Sequence, residues 1–133
     1  MTRINLILPS DLYDQHLLAE YRELPRIFTY VEKLKSLPSD IPPKYTMGKG
    51  HVKFFANKLK YLMKRQFEIT HELMDRGFKI NFDVRDLYLR YEVLDNKFKN
   101  DYVPSDAEIE ISRQRIDEKL AEKPDWYRKT PKE

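Results

Sequence analysis

Between Tyr13 and Leu34, apolar residues recur at three- and four-residue steps, which is the spacing of one face of an α-helix. Ser10 is a suitable N-cap for this helix, because acidic residues follow it in the first turn. Pro25 lies inside the pattern, and proline has no backbone N–H and clashes with the preceding turn. We therefore predict a first helix that starts at Ser10 and is kinked near Tyr21–Pro25.

Two further segments show helical spacing. The second is predicted from about His51 to Arg76, where Gly77 provides the C-cap. The third begins with a capping box at Ser105 and is stopped by Pro124.

The remaining segments predict connectors and one short helix. Residues 36–50 hold three of the eight prolines and two of the three glycines, a composition typical of an irregular connector. Asp83 could cap a short helix over 84–94. No segment alternates between apolar and polar residues as a strand does. We expect an all-α fold: a single compact domain over residues 1–133, with three main helices joined by irregular connectors.

Composition narrows the possible chemistry. A chain of 133 residues with 41% hydrophobic residues is suited to one domain with one core. It has no cysteine, only three glycines and three scattered histidines, which excludes disulfides, thiol nucleophiles, glycine-rich nucleotide loops and an H-E-x-x-H zinc motif. No apolar run is long enough to span a membrane, and no secretory signal is recognised. We expect a cytoplasmic protein without a metal or other cofactor.

Basic side chains are paired on two of the predicted helices. Arg22 and Arg26 are four residues apart on the polar face of the first helix, and Arg115 and Lys119 repeat this spacing on the third. Like charges at this spacing weaken an isolated helix by about 0.2–0.5 kcal/mol. One interpretation is that both pairs bind phosphate oxygens of a nucleic acid, and the net charge of +3 permits this. The alternative is an ordinary solvated helix face.

Four other side chains are open to two interpretations each. Glu23 is either a carboxylate at the edge of a cleft or a member of an intrahelical ion pair with a neighbouring arginine. His16 is either functional or a satisfied structural histidine. Gln66 interrupts the apolar stripe of the second helix, so its amide must bond to backbone or to a ligand. Trp126 could stack on bases or close the core.

The N-terminus is a further candidate reactive group. Initiator methionine is generally removed before a residue as small as Thr2, which would expose a threonine α-amine. An α-amine has a pKa of about 7.7–8.0, far below that of lysine, and nearby Arg3, Arg22 and Arg26 would lower it further. A neutral amine is the form that attacks an electrophilic carbon and gives a Schiff base. If Met1 is retained, the Thr2 nitrogen is an amide and cannot act.

The chain resembles a family of known enzymes. The resemblance is carried in order by residues 1–6, the block DQHLLAEYRELPR at 14–26, and residues 50–55, 64–66, 76–78, 101–104, 116–119 and 126–127. These stretches are similar to the pyrimidine-dimer DNA glycosylase/AP-lyase family, which includes endonuclease V of T-even bacteriophages. The segments 36–50 and 79–100 do not match closely, and the tail carries less tyrosine than that of the phage enzyme.

The resemblance implies an enzyme that acts on double-stranded UV-damaged DNA. It implies that the Thr2 α-amine attacks C1′ of a cyclobutane pyrimidine dimer, that an imine forms, and that β-elimination nicks the strand. Glu23, Arg22 and Arg26 are then the other catalytic residues, with Glu23 assisting proton transfer. The implied DNA contacts are Arg3, Gln15, His16, Gln66, Arg115 and Lys119.

The resemblance also sets expectations about partners and location. We expect a monomer that binds neither membrane nor metal, associates with the nucleoid, and is compatible with a virus-encoded protein acting in its host. Two alternatives stay open. One is a non-catalytic damaged-DNA-binding module of the same fold, and the other is an α-helical protein-interaction domain.

Overall fold

The computed structural model describes residues 2–81 and 83–132, and over these residues the regular structure is helical. The helices of the described chain are α1 (Asp14–Glu23), α2 (Pro25–Glu32), α3 (His51–Phe54), α4 (Leu59–Asp75), α5 (Val84–Glu92) and α6 (Asp106–Glu122), with 3₁₀ turns at Pro9–Asp11 and Asn96–Phe98. Within the described ranges the only strand-like pairing is an isolated bridge between Lys58 and Lys99. The prediction of an all-α fold is confirmed.

Helix α4 is central to the packing and contacts both α1 and α5. The apolar stripes predicted from the sequence form the core that these helices share. Leu17, Leu24 and Ile27 from the first stripe are fully buried, as are Leu59 and Leu62 from the second. Burial of each such side chain contributes about 1.5–3 kcal/mol.

The predicted start of the first helix is wrong. Ser10 lies in the 3₁₀ turn, and α1 begins at Asp14 with Tyr13 as its N-cap. The Asp14 N–H, which has no partner within the helix, donates to the carbonyl of Arg128 at 2.7 Å. The C-terminal tail therefore supplies the cap, and a contact so distant in sequence leaves no local signal.

The first predicted helix is interrupted at Pro25, where the kink was predicted, since α1 ends at Glu23 and α2 begins at Pro25. A proline at position 25 leaves the carbonyl of Tyr21 without the N–H donor that a helix would normally provide. Gln66 replaces that donor, because its Nε2 donates to the Tyr21 carbonyl at 3.1 Å. The buried amide on α4 thus compensates for the missing backbone donor.

The second predicted helix is divided in two. Helix α3 ends at Phe54 and α4 begins at Leu59, and Lys58 between them has non-helical dihedral angles. The Lys58 ammonium donates to the Phe54 carbonyl at 2.8 Å and lies 3.9 Å from the centre of the Phe54 ring. The Lys58 side chain thus donates a hydrogen bond to the last carbonyl of α3, so the break between the two helices has a local cause. At the far end, Gly77 has φ +87° and terminates α4 as predicted.

The remaining boundaries agree with the sequence. The Asp83 side chain accepts the N–H of Arg85 at 2.9 Å and caps α5. Ser105 and Glu108 form the capping box of α6 through bonds of 3.2 and 3.1 Å. Residues 36–50 contain neither helix nor strand, so the irregular connector is also confirmed.

The bond from Gln66 to the Tyr21 carbonyl predicts energetic coupling between Gln66 and Pro25. We expect Pro25→Ala to stabilise a Gln66→Met variant by about 1 kcal/mol more than it stabilises the wild type, because the new N–H restores a donor to Tyr21. Chemical denaturation of the four proteins measures this coupling. An equal effect of Pro25→Ala in both backgrounds would contradict the assignment.

Candidate active site

The N-terminal segment before α1 lies between helices and is largely buried. Residues 2–8 of this segment form neither helix nor strand, so their backbone donors need other partners. Side chains provide them at four successive residues: Arg3 N–H donates to Glu23 Oε1 at 3.1 Å, Ile4 N–H to His51 Nε2 at 2.9 Å, Asn5 N–H to Glu20 Oε1 at 3.0 Å, and Leu6 N–H to Ser112 Oγ at 3.0 Å. The path of the segment is therefore fixed residue by residue.

A buried ion pair supports the middle of this segment. Arg65 donates to both carboxylate oxygens of Glu20, and its Nη2 lies 3.1 Å from Oε1. The same oxygen accepts the side-chain amide of Asn5 at 2.9 Å. Burial opposes the charge on Arg65, but Glu20 overcomes this and raises the pKa of Arg65 above its ordinary value. Removal of one partner would leave an unpaired buried charge, at a cost of about 3–5 kcal/mol.

Glu20 and Arg65 were not predicted to have a role, although the sequence places each of them on an apolar helix stripe. Glu20 lies between Leu17 and Leu24 on the apolar stripe of the first helix. Arg65 lies one turn after Leu62 on the stripe of α4. A charged residue at a core position has to be paired, so two such residues of opposite sign predict a buried ion pair.

A small cavity of about 80 Å³ opens beside this segment. It is lined by the basic Arg3 and Arg115, the carboxylates of Glu20 and Glu23, and by Asn5 and His16. The structure thus brings together four residues that the sequence analysis selected separately: Arg3, His16, Glu23 and Arg115. Two cations beside a half-buried carboxylate can hold an anionic substrate against a general acid or base.

Arg115 connects α6 to the cavity. Its Nη1 lies 3.4 Å from the Asn5 side-chain oxygen. Burial, and then the charge of Arg3, lower the pKa of Arg115. Lys119 is one turn further along α6 and lies 3.7 Å from Glu122.

Arg22 and Arg26 are both exposed, on α1 and α2 respectively. Leu24 between these helices keeps helical dihedral angles, so the two arginines follow one another along a nearly continuous surface. Thr2 is half-buried at the start of the segment. The prediction that concerned retention of Met1 lies outside the described residues.

His16 has an unusual environment. Its ring stacks on Tyr127 at 4.6 Å, and both ring nitrogens are buried without a hydrogen-bond partner. Burial, with the charges of Arg115 and Lys119, lowers the pKa of His16 to about 4. His16 is therefore a neutral histidine at pH 7, and the described residues supply no hydrogen-bond partner for its ring nitrogens.

The C-terminal tail is fastened to α1 beside this histidine. Gln15 Nε2 donates to the Trp126 carbonyl at 2.7 Å, and Gln15 Oε1 accepts the Arg128 N–H at 3.0 Å. Both ends of the Gln15 amide are therefore bonded to the tail. The predicted contact of Gln15 with DNA stays a prediction. Trp126 is 53% exposed, so it does not close the core.

The predicted DNA contact of Gln66 is wrong for this structure. Gln66 is fully buried, and its amide nitrogen bonds to Tyr21 inside the kink. The backbone-bonded alternative is therefore the one that the structure supports.

A larger groove of about 500 Å³ lies elsewhere on the surface. It is lined by Leu8, Phe67 and the carboxylates of Glu68, Glu72 and Asp75. The lining also includes Lys132 and His71, but the three carboxylates outnumber the lysine and repel phosphate. The small cavity beside the N-terminal segment therefore remains the candidate site.

A carboxylate held beside arginines, with the exposed Arg22 and Arg26 next to it, is an arrangement suited to an enzyme that acts on nucleic acid. Comparison with known families is more specific: residues 1–86, nearly two thirds of the chain, match the pyrimidine dimer DNA glycosylase family. The chain belongs to this family. It is a DNA repair glycosylase, and DNA is its substrate. The match includes the N-terminal segment and α1 to α4 but not α6 or the tail.

The described residues contain neither a membrane-spanning helix nor a cluster of metal-binding side chains. None of the helices formed by residues 2–81 and 83–132 is both long and apolar enough to cross a bilayer. Over the same residues, no group of three or more histidine, aspartate or glutamate side chains is arranged to hold a metal ion.

The depressed pKa values of His16 and His51 predict that stability falls as the pH is lowered. Both histidines have a folded pKa of about 4 against an ordinary 6.5, so between these values the unfolded chain binds more protons than the folded chain. We expect the thermal midpoint to decrease from pH 6.5 to 5. His16→Phe keeps the ring stack and removes two unpaired nitrogens, so this variant should be about 1 kcal/mol more stable, with a shallower pH dependence.

The exposed His71 provides the matched control for this measurement. His71→Asn should leave the pH dependence of the thermal midpoint unchanged. If His71→Asn flattens the curve and His16→Phe does not, the assignment of the titrating groups is incorrect.

Proposed function

We propose that this glycosylase, once Met1 is removed, excises cyclobutane pyrimidine dimers and cleaves the resulting abasic site through the α-amine of Thr2. The observation that carries the proposal is the hydrogen bond from the Arg3 N–H to Glu23 Oε1 at 3.1 Å. The nucleophile is the chain's own amine, so the reaction requires no cofactor.

That bond determines how far the amine can be from the carboxylate. The Thr2 nitrogen is three covalent bonds from the Arg3 nitrogen and can be at most about 3.7 Å from it. The amine therefore lies within about 7 Å of Glu23 Oε1 in any conformation of Thr2. At the upper end of this range, a sugar carbon placed between the two groups would be about 3–3.5 Å from each, which is the distance of a near-attack geometry.

The proposed reaction has three steps. The Thr2 nitrogen forms a bond to C1′ as the glycosidic bond breaks, and the departing pyrimidine takes the electron pair. The C1′–O4′ bond then breaks, O4′ takes up the proton that the amine releases, and an imine results. Glu23 accepts a proton from C2′ as the C3′–O bond breaks and the 3′ phosphate leaves. Water hydrolyses the imine and regenerates the amine.

Basic residues around the cavity are proposed to hold the DNA. Arg22 and Arg26 flank Glu23 and are exposed, which suits contact with the phosphates on either side of the lesion. Arg3 and Arg115 line the cavity itself and would stabilise anionic oxygens close to the sugar. Lys119 extends the same face of α6.

Borohydride trapping on abasic duplex tests the central step. Borohydride reduces an imine to a stable amine, so a preparation without Met1 should become covalently joined to DNA, and mass spectrometry should locate the adduct at Thr2. The absence of an adduct from such a preparation would refute the lyase proposal. A preparation whose mass includes Met1 should bind DNA without trapping, which is the behaviour of the non-catalytic alternative.

Glu23→Gln tests the carboxylate. The amide oxygen can still accept the Arg3 N–H, so we expect DNA affinity to stay within about twofold while single-turnover cleavage falls by at least about 100-fold. Glu110→Gln, an exposed change on α6, is the matched control and should have no effect. Wild-type cleavage by Glu23→Gln would remove Glu23 from its proposed role.

The salt dependence of binding tests the phosphate contacts. Each of Arg22→Gln and Arg26→Gln should reduce the slope of log Kd against log salt by about one. Arg113→Gln is the control, because Arg113 is exposed and lies about 200° around α6 from Arg115. Equal slopes for all three variants would contradict the proposed orientation of the DNA.

A further inference from the structure

Two buried polar residues at the end of the irregular connector are not used in the proposed reaction. Tyr45 is 2% exposed and His51 is 1% exposed. Their rings are in edge-to-face contact, with centroids 5.3 Å apart, and both rings also contact Phe55.

Both residues bond to the backbone of Ile4. His51 Nε2 accepts the Ile4 N–H at 2.9 Å, and the Tyr45 hydroxyl donates to the Ile4 carbonyl at 2.7 Å. The N–H and the carbonyl of Ile4 belong to the peptide groups before and after this residue, so both peptide groups are held by a hydrogen bond. The Ile4 side chain is fully buried, so packing restrains this residue in addition to the two hydrogen bonds.

The histidine can accept only in one tautomer. His51 Nδ1 lies 2.8 Å from the carbonyl of Thr46, an acceptor, so Nδ1 carries the proton and Nε2 has the free lone pair. Burial, with the charges of Arg3 and Arg115, lowers the pKa of His51 to about 4. The ring is neutral at pH 7, as the bond to Ile4 requires.

The connector that presents these rings is itself anchored. The Tyr45 N–H donates to Glu108 Oε2 at 2.7 Å, and the other oxygen of Glu108 belongs to the capping box of α6. Gly50 precedes α3 with φ +93°, and a Cβ there would come within 3.2 Å of Pro42. Tyr45 and His51 are thus attached to a rigid part of the fold.

We propose that Tyr45 and His51 are positioning residues that set the location of the Thr2 α-amine by holding the Ile4 backbone. This inference rests on the proposed function, since it concerns the amine that attacks the sugar. The Cα atoms of Ile4 and Thr2 are at most about 7 Å apart, so a shift at Ile4 is passed to the amine over only two residues. A misplacement of about 1 Å can cost up to 100-fold in rate.

The test compares trapping rates in variants that keep the aromatic packing. On a duplex with one abasic site, at saturating protein without Met1, Tyr45→Phe should lower the rate constant of borohydride trapping about tenfold. Its Kd for a duplex carrying a tetrahydrofuran abasic analogue should stay within twofold. Tyr91→Phe removes a hydroxyl on α5, where the ring packs on Phe28 at 6.4 Å, and should trap at the wild-type rate.

A second pair of variants tests the histidine and separates positioning from stability. His51→Leu cannot accept the Ile4 N–H and should lower the rate constant at least tenfold. His51→Gln supplies an amide oxygen at a similar distance and should restore it to within about threefold of wild type. All rates are measured well below the thermal midpoint, where a merely stabilising role would leave them unchanged.

Each result of these trapping experiments either supports or overturns the positioning role of Tyr45 and His51. Trapping at the wild-type rate by Tyr45→Phe, or equal losses in His51→Leu and His51→Gln, overturns the positioning role and leaves the lyase proposal intact. If one variant does not fold, the other residue's variants still decide. The absence of trapping by the wild-type protein overturns both.

Discussion

A buried backbone without regular structure must find hydrogen-bond partners outside itself, and the N-terminal segment of this protein depends on that requirement. Its four successive N–H groups donate to side chains from α1, α3 and α6. Each acceptor has to be present at the correct distance before the segment can be buried. The arrangement of these helices is therefore coupled to the path of seven or so residues at the start of the chain.

The same requirement explains why charges are buried in so small a protein. Glu20 accepts from Asn5 and is neutralised by Arg65, so the cost of taking a carboxylate out of water is offset by an ion pair and several hydrogen bonds. His16 differs, because its ring nitrogens are buried and unpaired. A core selected for stability alone would use an apolar ring there.

Local sequence signals predicted the features that have local causes. The kink at Pro25, the glycine end of α4 and the capping box at Ser105 each follow from a few neighbouring residues, and all are found in the structure. The start of α1 at Asp14 depends on a carbonyl from Arg128, which no local pattern contains. The break before Leu59 also had a local cause in Lys58, but a lysine carries no general signal for ending a helix.

Some residues of the candidate site could be predicted from the sequence, whereas others required the folded structure. Glu23, His16 and Arg115 could be selected because polar residues of unusual placement stand out on a helical wheel. The family match over residues 1–86 includes Glu23 and His16 but not Arg115. Tyr45 lies in a connector whose sequence predicts only irregular backbone, so its contact with Ile4 required the folded structure. Gln66 was correctly singled out as a buried amide, but its partner depended on which helix faces the kink.

The bond between Leu6 and Ser112 and the docking of the tail on α1 have a consequence for biosynthesis. The segment that would carry the nucleophile leaves the ribosome about a hundred residues before Ser112, Arg115 and Trp126. Contacts of such long sequence separation form late in folding. The segment before α1 therefore emerges without the pocket that directs it, and the two meet only after α6 and the tail have been made.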